Sequence, residues 1–144
     1  LYPYEPNIVV FQTSSNDYAK TKGSDEEIYD SIINSKQTMF ETFHNRLPDT
    51  YFLVIAGILM PGRSQYDPIV KRVNAYLKAY CESKPYMTYV DSEQMTVDSE
   101  GNQKVDMFIQ DGIHLTHESR LKWAEEYIKP ALAGLYVEHP ELDW

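Results

Sequence analysis

Two continuous apolar stretches, NIVVFQ (Asn7 to Gln12) and YFLVIAGILM (Tyr51 to Met60), limit this chain's folding choices more than any other feature. A strand that is apolar at successive positions has no solvent face, so it belongs in a sheet covered on both sides. Between the two lies SDEEIYDSIINSKQTMFETFHNRL, in which Ile28, Ile32, Met39 and Phe43 keep near-helical spacing. Ser24 and Glu27 match a capping box at its start, and acidic residues fill the first turn. A strand, a long helix and a second buried strand make a parallel pair, because the helix carries the chain back to the end from which it left.

The same alternation continues downstream. After PGRS, Asp67 is expected to cap a helix with Pro68 at its first position and Ile69, Val73, Leu77 and Tyr80 as its inner stripe. YMTYVD reads as a third, shorter strand, and SEQMTVDSEGNQKVDMFIQDG as a long polar excursion turning near Glu100-Gly101-Asn102. A last helix should start near Thr116, bury Leu121, Ala124, Ile128 and Leu132, and be kinked or stopped near Pro130. TSSNDYAKTKG, after the first strand, reads as a polar loop. With no repeats or linkers, residues 1–144 are read as a single α/β domain with a parallel sheet.

Composition removes several function classes. The formal net charge of −9 has no basic cluster against it, so nucleic acid and anionic membrane surfaces are excluded as partners. The longest apolar run is too short to span a bilayer. The lone Cys81 excludes an internal disulfide and a multi-cysteine zinc site, and its place late in an apolar helical pattern marks it as a small buried hydrophobe. No signal peptide is visible, but the first residue is Leu1 rather than Met, so both cytoplasmic and secreted locations stay open.

Parallel strands carry functional loops at their carboxyl ends. Asn16 follows the first strand, Asp111 and His114 follow the third, and all three can meet at one edge of the sheet. Three residues of separation across a tight turn let Asp111 hold one nitrogen of His114, which makes the other a general base. Asn16 can offer an amide donor to a developing oxyanion, worth about 2.7–4 kcal/mol when such a donor is lost. Taken singly each signal has a plainer origin: Asp-x-x-His also arises where an aspartate caps a helix beside a hydrogen-bonded histidine, and Asp17 reads as a loop or cap residue. His114 and His117 with Asp106 and Asp111 show no supporting shell for a metal. No metal or cofactor is expected, His44 and His139 are read as surface residues, and the 12 tyrosines as packing rather than a sugar-binding groove.

EPNIVVFQTSSND resembles the third block of the SGNH (GDSL-type) serine hydrolases, a buried strand ending in Gly-x-Asn-Asp, and QDGIHLTHESRLKWAEEYIKP resembles their last block, Asp-x-x-His followed by a helix. DPIVKRVNAYLKAYC is similar to the Asn-bearing helix between them, so the resemblance runs from about Pro6 to Leu132. It implies a flavodoxin-like three-layer α/β/α fold, with His114 as base, Asp111 orienting it and Asn16 in the oxyanion hole. It also implies a serine esterase that removes small, acetyl-like acyl groups from a carbohydrate or lipid.

The chain departs from that pattern in two places. Ser14 stands where the family has glycine, with Ser15 at the next position, and no Gly-Asp-Ser occurs, so the family's N-terminal strands and helix are expected to be missing from this chain. Ser14 and Ser15 are rejected as nucleophiles because they lack a nucleophile-elbow sequence. Without a serine the chain by itself is expected to be inactive, and its first strand to seek a partner, as a homo-oligomer or with the missing N-terminal segment. The competing reading is a non-catalytic α/β binding or structural domain. A Gly-Asp-Ser segment encoded about 60–80 residues upstream would discriminate the two.

Overall fold

The computed structural model describes residues 2–12 and 15–142, with Ser15 described in its backbone only. Three strands, β1 (Ile8–Gln12), β2 (Tyr51–Ile55) and β3 (Met87–Val90), form a parallel sheet in the order β1-β2-β3. Ile8 pairs with Tyr51 and Phe52 with Met87, so the three strands end level with one another. The apolar run of β2 outlasts its ladder: both neighbours stop at Gln12 and Val90, and Ala56 to Leu59 continue as buried, irregular chain, with Met60 partly buried after them.

Alternation along β2 sorts the core into two layers. Phe52 and Val54 face helices α2 (Asp25–Arg46) and α3 (Asp67–Glu82), where they meet Ile28, Ile32, Phe40, Ile69, Val73 and Leu77. Leu53 and Ile55 face the opposite side, against Met95, Met107, Phe108, Leu115 and Trp123. That second layer is built on α4 (His117–Trp123), a π turn over Ala124–Ile128 and α5 (Lys129–Glu138). The architecture is therefore three-layer α/β/α, as expected. Phe52, Leu53 and Val54 are wholly buried, each worth at most about 1.5–3 kcal/mol in apolar burial. Among the described residues no helix is long and apolar enough to cross a membrane.

Several sequence expectations hold locally. Ser24 and Glu27 close the capping box on α2. The Glu100 turn is held by Asp98, whose Oδ1 accepts from the backbone of Glu100 and Asn102, with Gly101 at φ 85°. Cys81 is buried, and burial, aided by the Glu82 charge, pushes its thiol up to about 12.

Others are corrected. β1 is not covered on both faces: Val10 is 46% exposed, and among the described residues no strand pairs with its outer edge. The expected polar loop after it contains a helix, α1 (Ser15–Lys20), because Tyr18 turns into the α2 layer and is buried. Asp17 joins it to α2 through Lys36 at 3.1 Å. Asp67 does not cap α3; it is already helical, and its carboxylate accepts from Gln103 at 2.7 Å. Leu121 is 51% exposed, and Trp123 takes the buried place read for it. Near Pro130 the last helix is interrupted rather than stopped: a π turn over Ala124–Ile128 precedes it, and Pro130 falls in the first turn of α5, where a missing N–H costs least. His44 is not a simple surface residue but stacks on Tyr86 at 3.6 Å, and His139 packs against Tyr51. The Ser14 nucleophile question, and the Ser15 side chain with it, lies outside the described residues.

Candidate active site

The carboxyl ends of the strands set out the parts of the site. β1 leads to Asn16 in the first turn of α1. β2 leads through Ala56–Met60 into a 3₁₀ run, Pro61–Tyr66, that carries Arg63. Beyond β3 the polar excursion crosses the sheet end, anchored by buried Met95, Val97, Met107 and Phe108, and delivers the loop that carries Asp111 and His114.

That loop is pinched at its base. Phe108 and Leu115 form an antiparallel bridge, Ile109 N–H donates to the His114 carbonyl at 2.9 Å, and Thr116 N–H to the Met107 carbonyl at 2.9 Å. Thr116 then caps α4, its hydroxyl accepting from Ser119 N–H. Inside the pinch Gly112 sits at φ 66°, a conformation that a side chain would strain. The Gly112 carbonyl accepts from Gly62 N–H at 2.8 Å, and a Cβ added at Gly62 would lie 2.4 Å from the Asp111 carbonyl. Only glycine permits the β2 and His114 loops to approach this closely.

Asp111 organises the turn. Its Oδ1 accepts from Ile113 N–H at 2.8 Å and His114 N–H at 2.9 Å, while Oδ2 lies 2.6 Å from His114 Nδ1. The bond from the His114 ring, with the two backbone donors behind it, lowers the Asp111 carboxyl to about 2. An ionised carboxylate only accepts, so Nδ1 of His114 must carry the proton and Nε2 of the neutral ring is left as the basic nitrogen. The ring is 74% exposed.

Asn16 reaches the same place from the other side. Arg63 Nη2 donates to its Oδ1 at 3.0 Å. A guanidinium has no acceptor, so the amide oxygen must face Arg63, and the donor end of Asn16 is Nδ2. Asn16 and His114 line one open cleft of about 370 Å³, walled by Ile58, Met60, Ile113 and Leu115 and edged by Gln12, Arg63, Arg120 and Trp123. The three residues singled out in the sequence are thus brought together: two line the cleft, and Asp111 holds one of those two. Among the described residues, no Ser, Thr, Cys or Tyr lines the cleft. Among the described residues, no group of three or more His, Cys, Asp or Glu side chains could hold a metal ion.

Sequence reasoning missed Arg63, whose position just beyond the carboxyl end of β2 was the available signal. It also missed Trp123 and Arg120, which face the cleft from α4. Asn74, buried in α3, was read only as part of a resemblance. Its amide brackets Gly57, accepting from the Gly57 N–H and donating to the Gly57 carbonyl, each at 2.8 Å, and it donates to Glu93 at 2.7 Å. That clamp fixes the chain just before Ile58 and Met60.

No protein-family model matches the sequence, and no curated protein matches it at significance. Solved structures do resemble it in fold. A carbohydrate esterase family 3 structure from Talaromyces cellulolyticus superposes with a TM-score of 0.72 over 95% of this chain at 19% identity. A GDSL-like lipase from Bacteroides thetaiotaomicron does so with a TM-score of 0.63 over 90% at 21% identity. The chain spans 62% and 63% of those two chains. At such identities the likeness is one of fold: the α/β/α sandwich of these structures, represented over part of their length.

Proposed function

We propose that this chain, which shares its fold with GDSL-type ester hydrolases, supplies the base, the orienting acid and an oxyanion donor of a serine esterase. The substrates are small acyl esters, such as acetyl, of a carbohydrate or lipid. The nucleophilic serine comes from residues outside these 144. The supporting observation is the His114 ring, its Nδ1 held by Asp111 at 2.6 Å, in a cleft that Asn16 also lines.

In this reading Nε2 of His114 takes the serine proton as Oγ attacks the ester carbonyl, and Asp111 stabilises the imidazolium that results. Asn16 Nδ2 donates to the carbonyl oxygen as it becomes an oxyanion. When the tetrahedral intermediate collapses, His114 returns the proton to the leaving alcohol, and water repeats the cycle on the acyl-enzyme. The apolar wall of Ile58, Met60, Ile113 and Leu115 suits a short acyl chain.

The test is 4-nitrophenyl acetate hydrolysis by the protein expressed from its complete coding sequence. His114→Ala should lower kcat by at least about 10³-fold, the scale on which triad members act. Equal rates in the wild type and the variant would refute the assignment and favour a binding domain. A fluorophosphonate probe should leave the 144-residue chain itself unlabelled.

A further inference from the structure

The described lining of the cleft has a charge balance opposite to that of the chain as a whole. The chain carries 22 acidic and 13 basic residues, yet among the described residues no Asp or Glu lines the cleft, while Arg63 and Arg120 both do. Asp111 stands beside it, but its two oxygens are taken by the His114 ring and by the backbone of Ile113 and His114.

The other two arginines show how this protein settles a guanidinium. Arg72 forms two hydrogen bonds to the Glu26 carboxylate, at 2.9 and 3.1 Å, and Arg46 lies over the Tyr2 ring. Arg63 spends one of its donors on the neutral Asn16 amide. Arg120, exposed on α4, has no ion pair or side-chain hydrogen bond among the described residues. It is a permanent cation with a planar fork of donors, set into a cleft whose described lining holds no carboxylate. In a molecule whose overall field repels anions, holding one needs such a local site.

We infer that Arg120 is a specificity residue that binds an oxyanion on the substrate, so that the ester cleaved here belongs to an anionic molecule: a carboxylate-bearing sugar or a phosphate-bearing alcohol. This rests on the reading of the cleft as the ester site. Two parallel N–H···O bonds from Arg120 would seat either group. The anion is carried on the alcohol side, because the apolar wall by His114 is left for the acyl group. Arg63 adds positive potential and keeps Asn16 in place, so it positions rather than selects.

Binding tests this independently of hydrolysis. Glucuronate, glycerol phosphate and glucose are titrated into the ¹⁵N-labelled chain at constant ionic strength, following the Trp123 indole N–H and the Arg120 Nε–H. At least one of the two anions should bind about tenfold more tightly than glucose, the scale of a charged hydrogen bond. Whichever anion binds tighter identifies the source of the group. Arg120→Gln should abolish that advantage and Arg120→Lys should restore part of it; because Arg120 is exposed, neither change disturbs the core. Equal binding of all three ligands, or anion binding unchanged in Arg120→Gln, would overturn the proposal. Either result would leave the role of His114 in hydrolysis untouched, because the titration reads binding and not turnover.

Discussion

Replacing Asn74 with alanine tests whether the cleft depends on a buried clamp. Asn74 is 4% exposed, and its amide satisfies both the N–H and the carbonyl of Gly57 while donating to Glu93. Gly57 is itself buried, just past the last ladder bond of β2, so neither group has an evident route to water. Truncation would leave two buried backbone groups unsatisfied, at about 1–3 kcal/mol each. The Glu93 carboxylate would also lose a donor, and about 3–5 kcal/mol in all is expected. Against a total stability of about 5–15 kcal/mol for a domain, that is a large share. At roughly 3 °C per kcal/mol for this size, the Tm should fall by about 10 °C. The assay is urea unfolding followed by circular dichroism, with Gln37→Ala as control. Gln37 is half-buried on α2, donating to Glu41 and accepting from the Tyr76 hydroxyl, and losing these side-chain bonds should cost no more than about 1 kcal/mol. Glu93→Gln preserves an acceptor for Asn74 and should cost less than about 1.5 kcal/mol. A loss below about 1 kcal/mol in Asn74→Ala, with unchanged denaturant dependence, would refute the clamp and mean that Gly57 finds other partners.

Gly62→Ala should push the Asp111–Gly112 turn away, because the new methyl would lie 2.4 Å from a backbone oxygen rather than from a movable side chain. A loss of about 1–3 kcal/mol is expected, together with loss of the His114 Nδ1–H resonance; a fully retained resonance would show that the two loops can separate without disturbing the pair. Among the described residues no strand pairs with the outer edge of β1, where Val10 is half-exposed, so we expect the 144-residue chain to self-associate or to bind a further segment along that edge. Light scattering should then give a mass above 16.8 kDa, whereas a monomer with β1 amides protected from exchange would argue against it.

What could be read from the sequence was what short-range physics encodes. The capping box at Ser24 and Glu27, the stripe of Ile69, Val73 and Leu77, and the order of strands and helices all rest on residues within a few positions of one another. The Asp111–His114 contact belongs here too, because a three-residue turn lets one carboxylate hold both the backbone and the ring. What the tertiary structure decided lies in contacts between distant segments. Arg63 orients Asn16 across 47 positions of sequence, and Asn74 brackets Gly57 across 17. Neither residue announces its partner, because a side-chain hydrogen bond has no periodicity. The α1 helix formed where a loop was expected because Tyr18 found the α2 layer to pack against. On α4, Trp123 rather than Leu121 turned inward because the second layer faces that side of the helix. A cleft with no carboxylate in its described lining is likewise a property of side chains drawn from four separate segments, and only the packed sheet end brings them to one place.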